Sequence, residues 1–400
     1  MKGTGMRINI KHTLVSAVVA AALGLSSCAP AADGAGGDDD GTIEVGIITS
    51  ESGPLASYGK AYLAGFEAGL DYATDGTNEV DGTKIELRVG DDAADADKAV
   101  QLAKEYIGDG VNILAGTTSS AVALSMAEQA ELNKVLYISG PAATDALTGI
   151  NDYTFRSGRE TYQDVATAGD LLGDVKGKKV VIFAQDNAFG QGNEAAVKGI
   201  LGGQGADVAS VMVGEDVKEF TSFAQQVNEH RPDLVFVAWA GETTGSMWQS
   251  LQQQGVFDKA PVVTGLGDIA SFGAYGPVAK DIQFLAHYFA TAPDNEVNDA
   301  MVKAVEDAGE QADLFTPDGF VAAQMVVRAI EEGDGDVDAM IDALEGWSFE
   351  GPKGTTTVRA GDHALIQDMF QAKLAKQGSS YVPELVKVLP ADQVAPPEAD

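Results

Sequence analysis

Residues 111–144 constrain the fold of this chain more than any other stretch, because two strand-like runs flank a helix-like run. Residues 111–115 (VNILA) and 135–138 (VLYI) are apolar and strand-like, and residues 121–131 have helical composition and spacing. Two neighbouring strands joined by one helix form a parallel βαβ unit. The stretch therefore predicts an α/β fold built on a mostly parallel sheet.

Hydroxyl-rich loops follow both strands of this unit, at residues 116–120 (GTTSS) and 139–144 (SGPAAT). In open parallel sheets, ligands bind beyond the carboxyl ends of the strands. A loop with free backbone N–H groups at a helix N-terminus suits a carboxylate. Ser119 and Ser120 are therefore candidate ligand-binding residues. The alternative is that this loop only caps the helix that follows it.

The second half of the chain repeats the pattern. Strand-like runs at residues 234–238 and 262–264 are separated by about 25 residues, as in the first half, and each precedes a polar loop. Two doubly wound lobes of one plan would place their strand ends on opposite sides of a cleft. The expected boundaries are 42–158 plus 290–350 for the first lobe, 159–289 plus 351–390 for the second, crossovers near 157–160, 288–292 and 348–354, and a frayed polar tail at 391–400.

The beginning of the chain has the features of an export signal. Three basic residues in the first eleven precede an apolar run at 14–25, which is too short to span a bilayer comfortably. The sequence LSSC at 25–28 resembles a bacterial lipobox and contains the only cysteine of the chain. That resemblance implies a signal peptide at 1–28, acylation of Cys28 and a flexible tether at 29–41. An ordinary signal peptide with a chance cysteine is the alternative.

The expected location is therefore extracytoplasmic, with a lipid anchor to the cell membrane through Cys28. The net charge of −34, from 26 basic and 60 acidic residues, argues against nucleic acid as a partner, since few cations are present to neutralise phosphates. The same charge disfavours docking of the folded body on an anionic membrane. It otherwise indicates only solubility.

Three motif-like stretches do not meet their patterns. Residues 53–60 (GPLASYGK) resemble a phosphate-binding loop, but the spacing is one residue too long and Ala61 stands where Ser or Thr is needed. The acidic turn at 75–81 lacks the residue order of a calcium-binding EF-hand loop. The loose dinucleotide pattern at 265–270 (GLGDIA) lacks its later acidic partner. We expect no cofactor and no metal site.

The chain resembles the periplasmic branched-chain amino acid binding proteins, the Leu/Ile/Val receptors of ABC importers, over about residues 42–390. The resemblance implies a type I periplasmic-binding-protein fold: two lobes, three hinge crossovers, and a clamp that closes on one small molecule. It also implies that the partners are a small-molecule ligand and ABC permease subunits, and that the receptor is a monomer. The resemblance depends on the order and spacing of Ser52–Pro54, Tyr58–Gly59, Gly90–Asp92, Gly116–Ser120, Pro141–Thr144 and the run from Phe236 onward.

In the first lobe, the resemblance assigns roles residue by residue. Ser120 and Thr144 match hydroxyls that the family uses on the ligand's α-carboxylate and ammonium. Ala142 matches a backbone contact, and Tyr58 matches an aromatic wall of the pocket. These matches predict that the first lobe binds the α-carboxylate and ammonium groups that amino acids have in common.

In the second lobe the chain departs from the family pattern. Phe189 stands where the family often has Tyr, and Trp239 and Glu242 occupy a loop where one aromatic residue is usual. Asp268 lies near the acidic residue that the family pairs with the ammonium. Core packing is the alternative role for Trp239, and a turn or helix cap is the alternative for Asp268. A larger amino acid, an amide or an aromatic acid is thus as plausible a ligand as leucine.

An enzyme and a sensory receptor are the two alternatives to a receptor for import. An enzyme is disfavoured, because the sequence has no GxSxG elbow, no HExxH motif and no cysteine outside the predicted signal, and its four histidines are scattered. A sensory receptor for amides or aromatic acids would need a separate signalling partner. We therefore expect a non-enzymatic solute receptor that delivers an amino-acid-like ligand to an ABC importer.

Overall fold

The computed structural model describes residues 41–333 and 335–399, and two sheets with helices on both faces make up most of it. The predictions for the signal peptide, Cys28 and the tether up to residue 40 lie outside the described residues. No helix in the described ranges is both long and apolar enough to cross a membrane.

The first sheet has six strands in the order β2-β3-β1-β4-β5-β6, all parallel except the short β2. Its buried apolar side chains form one core cluster on each face. The strands and the helices between them are β1 (Thr42–Thr49), α1 (Ala56–Ala73), β2 (Glu79–Val80), β3 (Thr83–Asp91), α2 (Ala96–Gly108), β4 (Ile113–Ala115), α3 (Ser120–Asn133), β5 (Leu136–Ser139) and β6 (Thr154–Arg156).

The second sheet has the same plan in its parallel part, which runs in the order β11-β10-β9-β7-β8. Again, buried apolar side chains form one core cluster on each face of the sheet. Its elements are α4 (Thr161–Leu172), β7 (Lys179–Gln185), α5 (Ala188–Val197), β8 (Asp207–Val213), α6 (Thr221–Glu229), β9 (Leu234–Ala238), α7 (Thr244–Gln253), β10 (Val262–Gly265), α8 (Phe272–Tyr275) and β11 (Ile282–Ala286).

The chain then returns to the first sheet through α9 (Glu296–Asp307), α10 (Thr316–Gly333) and α11 (Val337–Leu344). Helix α10 packs along α1, and its apolar residues complete the first lobe's core. The two helices approach closely at Gly65, where a Cβ atom would lie only 1.9 Å from the carbonyl oxygen of Thr316. A side chain at this position would therefore force the two helices apart.

The third crossover falls later than the predicted 348–354. A small antiparallel sheet of β12 (Ser348–Gly351), β13 (Gly354–Val358) and β14 (Leu365–Ile366) precedes it. Val358 and Leu365 of this sheet pack into the first lobe's core, so this segment belongs with the first lobe rather than the second. The chain enters the second sheet only at β15 (Met369–Gln377), which pairs antiparallel with β11 and with β16 (Ser380–Leu389).

The C-terminal tail is packed against the protein up to Pro396 rather than frayed, and residues 397–399 are exposed. A short helix, α12 (Ala391–Val394), places Val394 fully buried against Met369 and Leu389. Farther along, the Arg359 guanidinium donates to the carbonyl of Pro396 at 2.7 Å. The polar composition of the tail gave no indication of these contacts.

The two parallel sheets confirm the α/β fold and the internal repeat. In both lobes the first strand lies between the second and the third strand of its parallel series, so the strand order reverses beside it. Ligands of doubly wound sheets bind at this reversal, beyond the carboxyl ends of the strands. The loops after β1 and β4 and the loops after β7 and β9 are therefore the places to look for a site.

Candidate functional site

A cavity of about 450 Å³ lies between the two sheets, and loops from both lobes line it. The lobes also touch directly near it, since the backbone N–H of Ile269 in the second lobe donates to the carboxylate of Asp313 in the first at 3.1 Å. Five residues predicted from the sequence line the cavity, namely Tyr58, Ser119, Ser120, Phe189 and Trp239.

The loop after β4 is fixed by a buried hydrogen-bond network. The fully buried Asp92, which follows β3, accepts from Ser50 Oγ at 2.6 Å and from Thr117 Oγ1. Gly116 has φ of +109°, and a Cβ atom on it would lie 1.9 Å from the carbonyl oxygen of Ile48. Only glycine fits that conformation and that approach. The network and the glycine together hold the loop against the end of β1.

Helix α3 begins at the cavity wall without a side-chain cap. Ser119 occupies the N-cap position in an extended conformation, but its side chain makes no capping hydrogen bond. Ser120 follows it, is 4% exposed and also lines the cavity. The first N–H groups of a helix have no partner inside the helix. Capping by Ser119 therefore does not account for this loop, and the helix start is available to an anion.

The segment after β5 presents other residues to the cavity than those predicted. Pro141 and Ala143 line it, whereas Ala142 and Thr144 are buried and are not among the described lining residues. Ligand contact by Thr144 and by the Ala142 backbone remains a prediction. The carbonyls of Ala142 and Thr144 both accept from the buried Arg156 guanidinium at 2.8 Å.

Aromatic rings form much of the remaining wall. Tyr58 meets Phe315 edge to face, with ring centroids 4.9 Å apart. Trp239 combines the two roles considered for it, since it stacks on Phe183 in the second lobe's core at 5.3 Å and also lines the cavity. Phe189 lies in the first turn of α5, which begins at Ala188.

Two predicted residues of the second lobe are not among the described lining residues. Glu242 is exposed to solvent. Asp268 is buried, and its carboxylate accepts from the N–H of Ser271 at 3.0 Å, so it caps a short 3-10 turn. The cap was the alternative role considered for Asp268. Ligand contact by either residue remains a prediction.

The floor of the cavity contains charged residues that the sequence did not suggest. Arg159 and Asp164, which flank the start of α4, form a buried ion pair with Nε and Oδ2 3.2 Å apart. His287 lies beside them, with Nε2 2.6 Å from Asp318 Oδ1 and Nδ1 3.2 Å from Lys353 Nζ. Burial lowers the pKa of His287 well below its usual value and raises the pKa of Asp318 to about 7.

A signal for these residues exists in the sequence. His287 directly follows β11, which ends at Ala286. Arg159 lies just beyond β6, in the first crossover. Both residues therefore follow the carboxyl end of a parallel strand, which is the position from which sheet ligands are bound.

The comparisons with known proteins agree with this geometry. The sequence profile of a family described as periplasmic binding protein matches residues 42–379. A Leu/Ile/Val-binding protein of Rhizobium johnstonii is 25% identical over 311 residues, which cover 76% of this chain and 83% of that protein. A second Leu/Ile/Val-binding protein homologue, from Brucella melitensis, is 24% identical over 88% of this chain and 93% of its own length.

Solved structures share the fold. An ABC-type branched-chain amino acid transporter protein of Rhodopseudomonas palustris superposes with a TM-score of 0.75 at 31% identity, covering 89% of this chain and 99% of its own. A solute-binding protein of an ABC transporter from R. palustris, in complex with 4-hydroxybenzoate, gives a TM-score of 0.79 at 22% identity, covering 87% and 97%. At that lower identity the likeness shows the fold alone.

Proposed function

Because the chain belongs to the periplasmic binding protein family, an extracytoplasmic family, we propose that it is the receptor of an ABC importer and closes on one small, amino-acid-like carboxylic acid. The observation that supports this most is the cavity between the lobes, where an uncapped helix start faces aromatic walls from both lobes. The cavity volume of about 450 Å³ suits a small organic molecule, since ligand pockets span roughly 300–1,000 Å³.

The ligand class follows from chemistry that the similar proteins have in common. One relative is a Leu/Ile/Val-binding protein, and one structure of the same fold is a complex with 4-hydroxybenzoate; these molecules differ in their apolar parts. Both kinds of molecule have a carboxylate. In this chain the start of α3 offers backbone N–H groups and Ser120 to such a group, and the rings of Tyr58, Trp239 and Phe315 offer an apolar surface to the rest.

The remaining parts of the proposal concern the setting of the receptor. A lipid on Cys28 would hold the folded body at the outer surface of the cell membrane, with residues 29–41 as the tether. The receptor acts as a monomer, and the closed clamp delivers its ligand to the permease subunits of the importer.

A thermal-shift screen tests the proposal. The mature protein, unfolded and refolded to remove any bound ligand, is heated with a panel of amino acids, amides and aromatic acids. A ligand that binds only the folded state stabilises it by about 2.7 kcal/mol at 100 times its dissociation constant. We expect at least one carboxylic acid to raise the melting temperature in proportion to the logarithm of its concentration.

A cavity-filling variant shows whether the effect arises in the cleft. Ser119→Trp places an indole in the cavity without removing a helix cap, because the Ser119 side chain makes no capping bond. Glu131→Trp, at the exposed far end of the same helix, is the matched control. The proposal requires that Ser119→Trp abolish the shift and that Glu131→Trp retain it. A panel without any acid that stabilises the wild-type protein would contradict the proposal.

A further inference from the structure

Asp164 has a carboxylate oxygen without a partner in the cavity floor. The residue lies in the first turn of α4, is 4% exposed and lines the cavity. Its Oδ2 is 3.2 Å from Arg159 Nε, but its Oδ1 is buried and makes no hydrogen bond in the described part of the chain. Buried polar groups in native proteins are almost always hydrogen-bonded, so an unpaired oxygen on a residue that lines a cavity indicates a missing partner.

Several neighbouring polar groups of the floor have partners within the protein. Arg159 donates from Nη1 to the carbonyl of Pro141 at 2.8 Å. The two ring nitrogens of His287 face Asp318 and Lys353, and the Asn193 amide donates to the carbonyl of Phe189 at 2.9 Å. Among the described lining residues, the buried side-chain atoms that lack a hydrogen bond are Asp164 Oδ1 and Arg159 Nε.

The charges of the floor determine what the missing partner is. Arg159 Nε faces the other oxygen of Asp164, so the pair is neutral as a whole. A carboxylate oxygen that is ionised only accepts hydrogen bonds. The group that completes an ionised Oδ1 is therefore a donor. Ammonium and hydroxyl groups are the donors that amino acids and hydroxylated aromatic acids bear.

We propose that Asp164 is a specificity-determining residue, which selects carboxylic acids bearing an ammonium or hydroxyl donor over analogues that lack the donor. The inference rests on the proposed function and adds a second recognition point to it. The ligand's carboxylate binds at the start of α3, and its donor binds to Asp164 Oδ1. An α-ammonium and a ring hydroxyl para to the carboxylate lie at different distances from that carboxylate, so the site fits one of these two donor positions. An aromatic or aliphatic acid without such a donor leaves this oxygen unpaired in the closed cleft.

Matched pairs of acids test this inference in the wild-type protein by calorimetric titration. The pairs are leucine with 4-methylpentanoate, phenylalanine with 3-phenylpropionate, and 4-hydroxybenzoate with benzoate. A site built to hydrogen-bond a donor rejects the analogue without it strongly, so we expect the donor-bearing member of the best pair to bind about 100-fold tighter or more. Equal affinities within every pair that binds would overturn the inference and leave the proposed function intact.

Two variants separate recognition by Asp164 from a merely structural role. Asp164→Leu removes the acceptor at similar volume. It should reduce the ratio of the two affinities within a pair of acids to about 10 or less, because only the apolar contacts still discriminate between them. Asp164→Asn retains an acceptor without charge. It should reduce the ratio at least about tenfold for an ammonium ligand and change it little for a hydroxyl ligand, since hydrogen bonds to charged groups are about twice as strong.

A structural role predicts a different result. If Asp164 only orients Arg159, both variants weaken both members of a pair by the same factor, and the unchanged ratio overturns the inference. Should Asp164→Leu fail to fold, the double variant Arg159→Met/Asp164→Leu removes both charges and leaves neither unpaired. If no member of any pair binds the wild-type protein, the proposed function fails and the inference fails with it.

Discussion

Replacing Lys353 with methionine should destabilise the protein strongly, because Lys353 neutralises a buried carboxylate between the lobes. Lys353 is 4% exposed, in the turn between β12 and β13, and its Nζ lies 3.2 Å from His287 Nδ1. Burial keeps the His287 ring neutral by lowering its pKa. The ring therefore accepts from the ammonium at Nδ1 and donates from Nε2 to Asp318, 2.6 Å away.

The size of the loss of stability in Lys353→Met follows from the burial of both Lys353 and Asp318. Lys353 compensates Asp318 across the His287 ring, and removing the cation that compensates an ionised buried carboxylate costs about 3–5 kcal/mol. Lys373→Met is the matched control, since Lys373 pairs with Glu384 at 2.9 Å but is 64% exposed. Exposed pairs contribute roughly 0.2–1 kcal/mol. The double variant Lys353→Met/Asp318→Asn should lose less than Lys353→Met, because no unpaired carboxylate remains.

The pH dependence of stability should also differ between the wild-type protein and Lys353→Met. The pKa of Asp318 is raised from 3.8 to about 7, so its contribution to stability is full below about 3.8 and is lost as the pH rises through about 7. The pKa of Lys353 is lowered from 10.5 to about 7, so its contribution is full above about 10.5 and is lost as the pH falls through about 7. Without Lys353, only the loss of stability with rising pH that Asp318 causes remains. The free energy of unfolding should therefore fall more steeply between pH 5 and pH 8 in Lys353→Met than in the wild-type protein.

Urea unfolding followed by circular dichroism at pH 5 and pH 8 measures both effects. We expect Lys353→Met to lose more free energy of unfolding than Lys373→Met at pH 8, where the Asp318 carboxyl is ionised, and to show a smaller deficit at pH 5, where that carboxyl is protonated. A loss equal to that of the control at pH 8, or a deficit that grows toward pH 5, would refute the role assigned to Lys353.

Three further predictions concern the packing of the first lobe, the tail and the N-terminus. Gly65→Ala should cost more than about 2 kcal/mol in thermal unfolding, because its Cβ would lie 1.9 Å from a backbone oxygen of α10, whereas Gly108→Ala meets nothing within 4 Å and should be neutral or stabilising. Deletion of residues 395–400 should cost about 1–3 kcal/mol, since it removes acceptors of the Arg359 guanidinium, and an unchanged melting temperature would contradict the packing of the tail. Cys28→Ala should move the protein from the membrane fraction to the soluble fraction, and retention in the membrane fraction would disprove the lipid anchor.

The sequence predicted most of the parallel strands and helices, because each has a strong apolar pattern and a clear polar loop at its end. The predictions for the third crossover and for the C-terminal tail were wrong. Val358, Leu365 and Val394 lie in polar or turn-rich surroundings, so nothing local indicates that they are buried. Their partners are distant in sequence, and only the folded chain brings them together.

The candidate site was predicted unevenly for a related reason. The helix start at Ser119 and Ser120 follows a general rule of parallel sheets and lies where it was expected. The segment 141–144 was assigned through a family resemblance, and in the structure Pro141 and Ala143 are the residues of this segment that line the cavity. Arg159 and Asp164 were missed because charged residues near a helix start usually indicate a solvated surface.

The central claim is that one small carboxylic acid is held between the lobes by the start of α3. Calorimetric titration of the refolded protein with the best acid of the thermal-shift panel, and with the corresponding carboxamide, tests it most directly. The account predicts one binding site per chain, much weaker binding of the carboxamide, and no binding of the acid by Ser119→Trp. Equal affinity for the acid and the carboxamide, or unchanged binding by Ser119→Trp, would contradict it.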